Sequence, residues 1–176
     1  PMTKVEPTYP KTVYRAQAVE KRAVPAAMKL DTIVDKWEIY DDADYLAIGP
    51  AAFRETLQPL LDLHEKNGLK TAFADLEDLC NAFSAGVRDP ESIRAFIRML
   101  FARSPARPPR FLLLAGDCTH DLYKKNAHRT IVPTRLSIVP GWGPGSDDDY
   151  FGMVQGDDRF ADLSIGRFPA ENRDQL

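Results

Sequence analysis

The sequence predicts an α/β fold: a mostly parallel four-stranded sheet with flanking helices, preceded by an N-terminal arm. Two observations carry this. Apolar runs of strand length recur at Tyr45–Ile48, Leu69–Ala74, Phe111–Ala115 and Asp162–Gly166, and the stretches between the first three repeat apolar residues at helical spacing. Strands that alternate with helices call for right-handed crossovers and parallel pairing. The length of 176 residues suits one core plus a tail, and 44% apolar with 28% charged residues is the balance of a globular chain.

Taken in order, residues 1–40 read as a linker or arm. Pro1, Pro7, Pro10 and Pro25 interrupt it and its apolar positions, such as Val13, Val19 and Ile33, are scattered. Trp37 and Tyr40 at its end are expected to pack onto the domain in one or two short strands. The domain proper spans 41–176. Tyr45-Leu46-Ala47-Ile48 is a buried strand closed by Gly49-Pro50. Phe53, Leu57, Leu60, Leu61 and His64 then share one helix face, and Gly68 stands where a helix end wants positive φ. Pro59 is the misfit in this helix and predicts a kink or a late start. After the second strand, Asp75 caps a short helix carrying Leu76, Leu79 and Cys80. Asp89-Pro90-Glu91 opens the clearest helix, whose stripe is Ile93, Phe96, Ile97, Leu100 and Phe101, ended by Pro105, Pro108 and Pro109. Phe111–Ala115 has almost no alternation, as a strand covered on both faces should, and an irregular hairpin separates it from the alternating fourth strand.

Composition narrows the partners. A net charge of −3 and a pI near 5.6 supply no basic stripe for nucleic acid, and no apolar stretch reaches the length of a membrane span. Cys80 and Cys118 alone make no disulfide framework. No apolar signal-peptide core follows Pro1-Met2-Thr3-Lys4. The start is therefore read as cytosolic or as left by removal of a longer N-terminus, with Pro1 ahead of Met2 a cloning remnant.

Several side chains are candidates for chemistry. Cys118-Thr119-His120-Asp121 sets a thiol, an imidazole and a carboxylate in four residues. Catalytic nucleophiles and their bases are normally brought together from distant positions, so a small thiol at a strand end is the plainer reading. Cys118, His120 and His128 also offer zinc ligands, though without a second motif. His64 and Cys80 read as core-edge and packing residues. The acidic segment is richer: Asp147, Asp149, Asp157 and Asp158 are candidate calcium ligands, hard oxygen donors at loop spacing, against the alternative of a solvated loop with a turn at Gly156-Asp157-Asp158. Arg88, Arg94, Arg98, Arg103, Arg107 and Arg110 read as a solvated face. Ligands of open parallel sheets bind at strand C-termini, which directs attention to Gly49, Asp75, Asp117 and Gly166-Arg167 and raises a small-molecule pocket above Gly49 and Gly116 as an alternative. No phosphate-cradling glycine loop is present.

Four pieces stand in the order and spacing of the gingipain-like cysteine peptidases: Tyr45–Ile48, the helix before Gly68-Leu69-Lys70-Thr71, Phe111–Asp117, and Ser146-Asp147 through Gly166-Arg167-Phe168-Pro169. Asp89–Arg94 and Ile131-Val132-Pro133 add to the likeness, which covers about residues 37 to 176. The chain resembles the first of two α/β subdomains of that catalytic domain. The resemblance implies a cysteine endopeptidase acting on protein or peptide, whose catalytic histidine, in a His-Gly pair, and cysteine lie in a second, caspase-like subdomain. This sequence has no His-Gly pair, and Cys118 falls at a variable position, so no catalytic residue is carried over and no activity is expected of this chain by itself. The resemblance also implies secretion and makes calcium the candidate cofactor, although none is required. Asp117, Asp147 and Arg167 are the motif positions to test, with a structural reading at hand: Asp117 capping amides and Arg167 pairing with a carboxylate. The alternative from another class is a stand-alone scaffold or partner-binding module of the same fold.

Overall fold

The computed structural model describes residues 37–119, 130–141 and 143–176. The arm expected over 1–40 therefore lies outside the described residues except for its last four. Those form a 3-10 turn, Trp37–Tyr40, rather than a strand. Its two aromatic rings pack as expected, Trp37 with centroids 5.3 Å from Phe83 and 5.5 Å from Phe96, and Tyr40 edge-on to Phe96 at 5.2 Å.

Four strands make one parallel sheet: β1 (Tyr45–Gly49), β2 (Thr71–Asp75), β3 (Phe111–Ala115) and, after a separate hairpin, β6 (Ser164–Phe168), in the order β2-β1-β3-β6. The hairpin pairs β4 (Arg135–Val139) antiparallel to β5 (Gly143–Asp147). Helix α1 (Arg54–Lys66) connects β1 to β2, and α2 (Leu76–Ser84) and α3 (Pro90–Arg103) connect β2 to β3.

Alternation along the strands assigns the two faces. Leu46 and Ile48 of β1 with Leu112 and Leu114 of β3 point to one face, where Leu79 and Cys80 of α2 and Ile93, Phe96, Ile97 and Leu100 of α3 cover them. Val132, Phe151 and Leu163 extend that layer beneath β6. Ala47, Phe73, Leu113 and Ala115 point to the other face and meet Phe53, Leu57 and Leu61. Both inner strands are thus buried on both sides, which is why β1 and β3 lack polar alternation in sequence. In β6 Ser164, Gly166 and Phe168 are exposed while Ile165 and Arg167 are half-buried, so its alternation reflects cover on one side.

Local signals explain the boundaries. Asp75 ends β2 and caps α2, its Oδ1 accepting the Glu77 N–H at 3.1 Å, and Asp89 caps α3 through the Glu91 N–H at 2.9 Å with Pro90 in the first turn. Pro59 lies inside α1 on its exposed side. It supplies no N–H to the carbonyl of Glu55, and water can serve that group instead, so the helix runs on from Arg54 to Lys66 rather than starting late. Two strands are shifted from expectation. Lys70 is outside β2 because Asp44 takes it: Asp44 Oδ2 accepts the Lys70 N–H at 2.8 Å and the Lys70 carbonyl accepts the Asp44 and Tyr45 amides. Asp162 is outside β6 because its carboxylate accepts the Val154 and Gln155 amides at 3.0 and 2.8 Å.

Asp44 organises the N-terminal rim of the sheet. It is 4% exposed, receives Arg107 Nη2 at 2.6 Å, and its carbonyl accepts the Arg110 and Phe111 amides. Of the arginines expected to form a solvated face, Arg88, Arg98, Arg103, Arg107 and Arg110 are exposed and Arg94 is half-buried, but three of the six also tie elements together. Arg107 holds Asp44, Arg103 binds both oxygens of Asp41 at 2.8 Å, and Arg94 donates to the Met153 carbonyl at 2.6 Å while lying over the Tyr150 ring. Each joins α3 or its exit to another element, because a guanidinium offers five donors that a nearby carboxylate or carbonyl can collect.

Leu114, fully buried between the sheet and α3, tests the packing. Leu114→Ala is expected to lower urea-unfolding stability by about 2–5 kcal/mol, whereas Leu63→Ala on the solvent side of α1 should change it by less than about 0.5 kcal/mol.

Candidate functional site

The C-terminal ends of β3 and β6 meet at the side chain of Arg167. As the fourth residue of β6 it points to the face shared with Leu112 and Leu114, and it is 11% exposed. Its Nη1 donates to the carbonyls of Gly116 at 2.7 Å and Val132 at 3.0 Å, and its Nε and Nη2 grip Asp148 Oδ2 and Oδ1 at 2.7 and 2.8 Å. Thr134, itself fully buried, donates its hydroxyl to Asp148 Oδ1 at 2.7 Å. One guanidinium thus ties the end of β3, the segment Val132–Thr134 and the exit of the β4–β5 hairpin to β6. Burial by itself would raise Asp148, but the Arg167 hydrogen bonds and charge, helped by Thr134, outweigh it and hold the carboxyl below its ordinary value.

Backbone bonds complete the rim. Gly116 N–H donates to the Phe168 carbonyl, Asp117 N–H to that of Ala170, and the Ile131 and Val132 amides to that of Asp117. Asp117 Oδ1 accepts the Cys118 amide at 2.8 Å, the cap expected of it. Gly116 sits at φ +148°, and a Cβ there would come within 2.7 Å of the Ile131 side chain. Gly49 is equally confined: its Cβ would stand 2.7 Å from the Ala115 carbonyl oxygen. At the point where strand order reverses, between β1 and β3, the two chain ends thus approach too closely for a side chain at either glycine.

The thiol-imidazole expectation divides. Cys118 is half-buried beside this rim, and burial, more than Arg167 offsets, pushes its thiol up and away from the thiolate a nucleophile needs. His120, Asp121 and His128 lie outside the described residues. The described imidazole, His64, stacks on Tyr45 at 4.1 Å, at the start of β1 and so at the opposite rim from Cys118. Cys80 is buried, with its sulfur 3.7 Å from Ser92 Oγ, a packing role as read.

Of the calcium candidates, Asp147 closes β5 opposite Arg135, the exposed Asp149 opens a 3-10 turn, and Asp157 and Asp158 are exposed, Asp158 Oδ1 accepting the Phe160 amide. Among the described residues no three His, Cys, Asp or Glu converge as a metal site would require. Two further carboxylates of this segment, outside the candidate set, are also engaged: Asp148 with Arg167 and Asp162 with the Val154 and Gln155 amides. Nothing in the run Asp147-Asp148-Asp149 singled out its middle member. The signal was in Arg167, a cation in an otherwise apolar strand position that required an anion from elsewhere.

Removing either partner of the latch should be costly. Because Asp148 keeps a quarter of its side chain in water, the loss for Asp148→Asn is expected below the 3–5 kcal/mol of a fully buried pair, about 2 kcal/mol. The depressed carboxyl makes its contribution complete above the unfolded value near 4 and lost as pH falls through the lower folded value. Thermal melts from pH 7 to pH 2 should show the wild type and Asp148→Asn converging in acid, with their separation largest at neutral pH.

The matches to known proteins cover this rim and the sheet behind it. The profile of Peptidase family C25 matches residues 39–176. Gingipain R2 of Porphyromonas gingivalis is 24% identical over 131 residues, 74% of this chain and 15% of its own length. Among solved structures, dimeric latent PorU from Porphyromonas gingivalis superposes with a TM-score of 0.62 at 24% identity, over 75% of this chain and 14% of its own. The complex of Porphyromonas gingivalis RgpB pro- and mature domains gives 0.56 at 23% identity, over 76% and 26%. The chain spans a small part of each of these relatives, and the likeness to the solved structures is one of fold. With the profile match extending over most of its length, the chain belongs to peptidase family C25.

Proposed function

We propose that this chain is the first, structural subdomain of a gingipain-like cysteine endopeptidase, and that it supports a second, caspase-like subdomain which carries the catalytic histidine and cysteine. The observation that carries the reading is the use made of the family-like positions. Gly116, Asp117 and Arg167 spend their hydrogen bonds on the chain's own backbone and on Asp148, which leaves them as scaffold rather than as acid, base or oxyanion donor. The one half-exposed thiol at the rim is shifted toward its protonated form. A cysteine peptidase needs a thiolate with an imidazole in hydrogen-bond reach, and among the described residues Cys118 and His64 stand at opposite rims.

In the complete enzyme a thiolate would attack the scissile carbonyl of a protein substrate, a histidine would move the protons, and backbone amides would hold the oxyanion. This subdomain's share is rigidity: a sheet buried on both sides and a rim fixed by an arginine latch keep a neighbouring site within the small tolerances that catalysis demands.

The test is hydrolysis of a fluorescein-labelled denatured protein under reducing conditions. The 176-residue chain should show no turnover above buffer, and the complete gene product should be active with Cys118→Ala unchanged from wild type. Thiol-dependent turnover by the 176-residue chain that disappears in Cys118→Ala would overturn the scaffold assignment.

A further inference from the structure

We propose that the outer edge of β4 receives an extended segment of the polypeptide on which the enzyme acts; this rests on the peptidase reading above and adds a substrate-binding site to it. Among the described residues the β4–β5 ribbon is a sheet of its own, joined to neither edge of the four-stranded sheet. Its Ile138 is 82% exposed and Val139 42%. A lone two-stranded ribbon is marginal in water, and β5, with Gly143, Pro144 and Gly145, has little side chain with which to strengthen it. It is held at its stem, where Thr134 and Asp148 share the Arg167 latch. A third strand is what such a ribbon lacks.

The register says on which side that strand can add. Ile138 lies opposite Pro144. Opposed residues in an antiparallel pair alternate between those that exchange two hydrogen bonds and those that exchange none. A proline cannot give its half of an exchange, so the bonded pairs are assigned to Arg135–Asp147, Ser137–Gly145 and Val139–Gly143. Leu136 and Ile138 then turn their amides and carbonyls outward, two donors and two acceptors on an edge free of proline and glycine. The opposite edge is one donor short at Pro144, the usual means of blunting a strand against additions. Among the described residues the ribbon therefore has one closed edge and one open one.

Size decides the occupant. A five-residue strand is about 17 Å long, and pairing two such edges falls well short of the about 1,000 Å² that a lasting dimer needs. An extended peptide needs no such area: backbone bonds give modest affinity, and its alternate side chains meet those of Leu136 and Ile138. Weak, reversible capture of unfolded chain is what a peptidase requires of a site outside its catalytic centre. The ribbon's stem adjoins the C-terminal ends of β3 and β6, the rim at which open α/β sheets meet their ligands.

The experiment titrates the ¹⁵N-labelled chain with acetylated, amidated Thr-Val-Thr-Val-Thr-Val and with the same peptide N-methylated at alternate residues. Saturable shifts and slowed exchange at the Leu136 and Ile138 amides are expected, with at least about a tenfold weaker response to the N-methylated peptide. Ile138→Pro should lose binding about tenfold, Ser146→Pro should bind as wild type, and an unchanged core spectrum verifies that both fold. No saturable shift, equal binding of the two peptides, or shifts centred on β5 or β2 instead would overturn the proposal. In the complete gene product, Ile138→Pro should raise KM for a denatured protein several-fold and leave kcat unchanged; an unchanged KM overturns the substrate assignment. If the peptide pairs with β4 but the complete product hydrolyses nothing, the peptidase reading has failed and the peptide is not a substrate.

Discussion

The guanidinium of Arg167 is the point on which the C-terminal half of this domain depends. It sits where a strand of an open sheet would ordinarily place an apolar side chain, and its charge is tolerated because each side of the fork finds an acceptor: two carbonyls on one side and the Asp148 carboxylate on the other. Without it, the Gly116 and Val132 carbonyls would lose the donor it supplies and Asp148 would keep only the Thr134 hydroxyl, a cost comparable to a large fraction of a domain's net stability. Among its described residues, the long connection from β3 to β6 contains a hairpin and turns. Its order comes from this latch and from Val132, Phe151 and Leu163 packing beneath the sheet.

The N-terminal rim uses the same device in a different setting. Asp44 is the buried partner there, and Arg107 reaches it from the exposed side. At the C-terminal rim the arginine is the more buried member. In both cases a carboxylate held by arginine also orders backbone from separate segments: Lys70 and Phe111 at one end, and the Val132–Thr134 segment and the hairpin exit at the other. Five-residue strands contribute few ladder bonds each, so fixing both ends matters more than in a long-stranded sheet. Such a domain presents a stiff rim at each end of its sheet.

Much of this could be read from the amino acids, for identifiable reasons. The four sheet strands and three helices follow from apolar runs and periodic stripes, because burial on two faces for β1 and β3 and on one stripe for α3 leaves an unmistakable pattern. The caps at Asp75 and Asp89 were legible because their geometry is local. Strand ends were less so, since Lys70 and Asp162 are withheld from the ladders by side-chain contacts that no local pattern encodes. The contacts of Arg94, Arg103 and Arg107 were not legible because their partners, the Met153 carbonyl, Asp41 and Asp44, are distant in sequence. Asp117 and Arg167 stood out as motif positions, but Asp148 did not, hidden between two other aspartates. The acidic density of the loop suggested calcium; of its carboxylates Asp148 holds Arg167, and Asp158 and Asp162 accept backbone amides.

Native-state hydrogen exchange in Arg167→Lys is the most direct test of the central claim, because lysine keeps the charge and loses the fork. The account predicts that protection at Gly116, Ile131 and Val132, whose amides complete the rim, falls at least about tenfold while Leu46, Leu112 and Leu114 in the sheet keep theirs. Equal protection at all of these amides in the variant and the wild type would contradict it, since the rim would then be held by packing and the latch would be incidental.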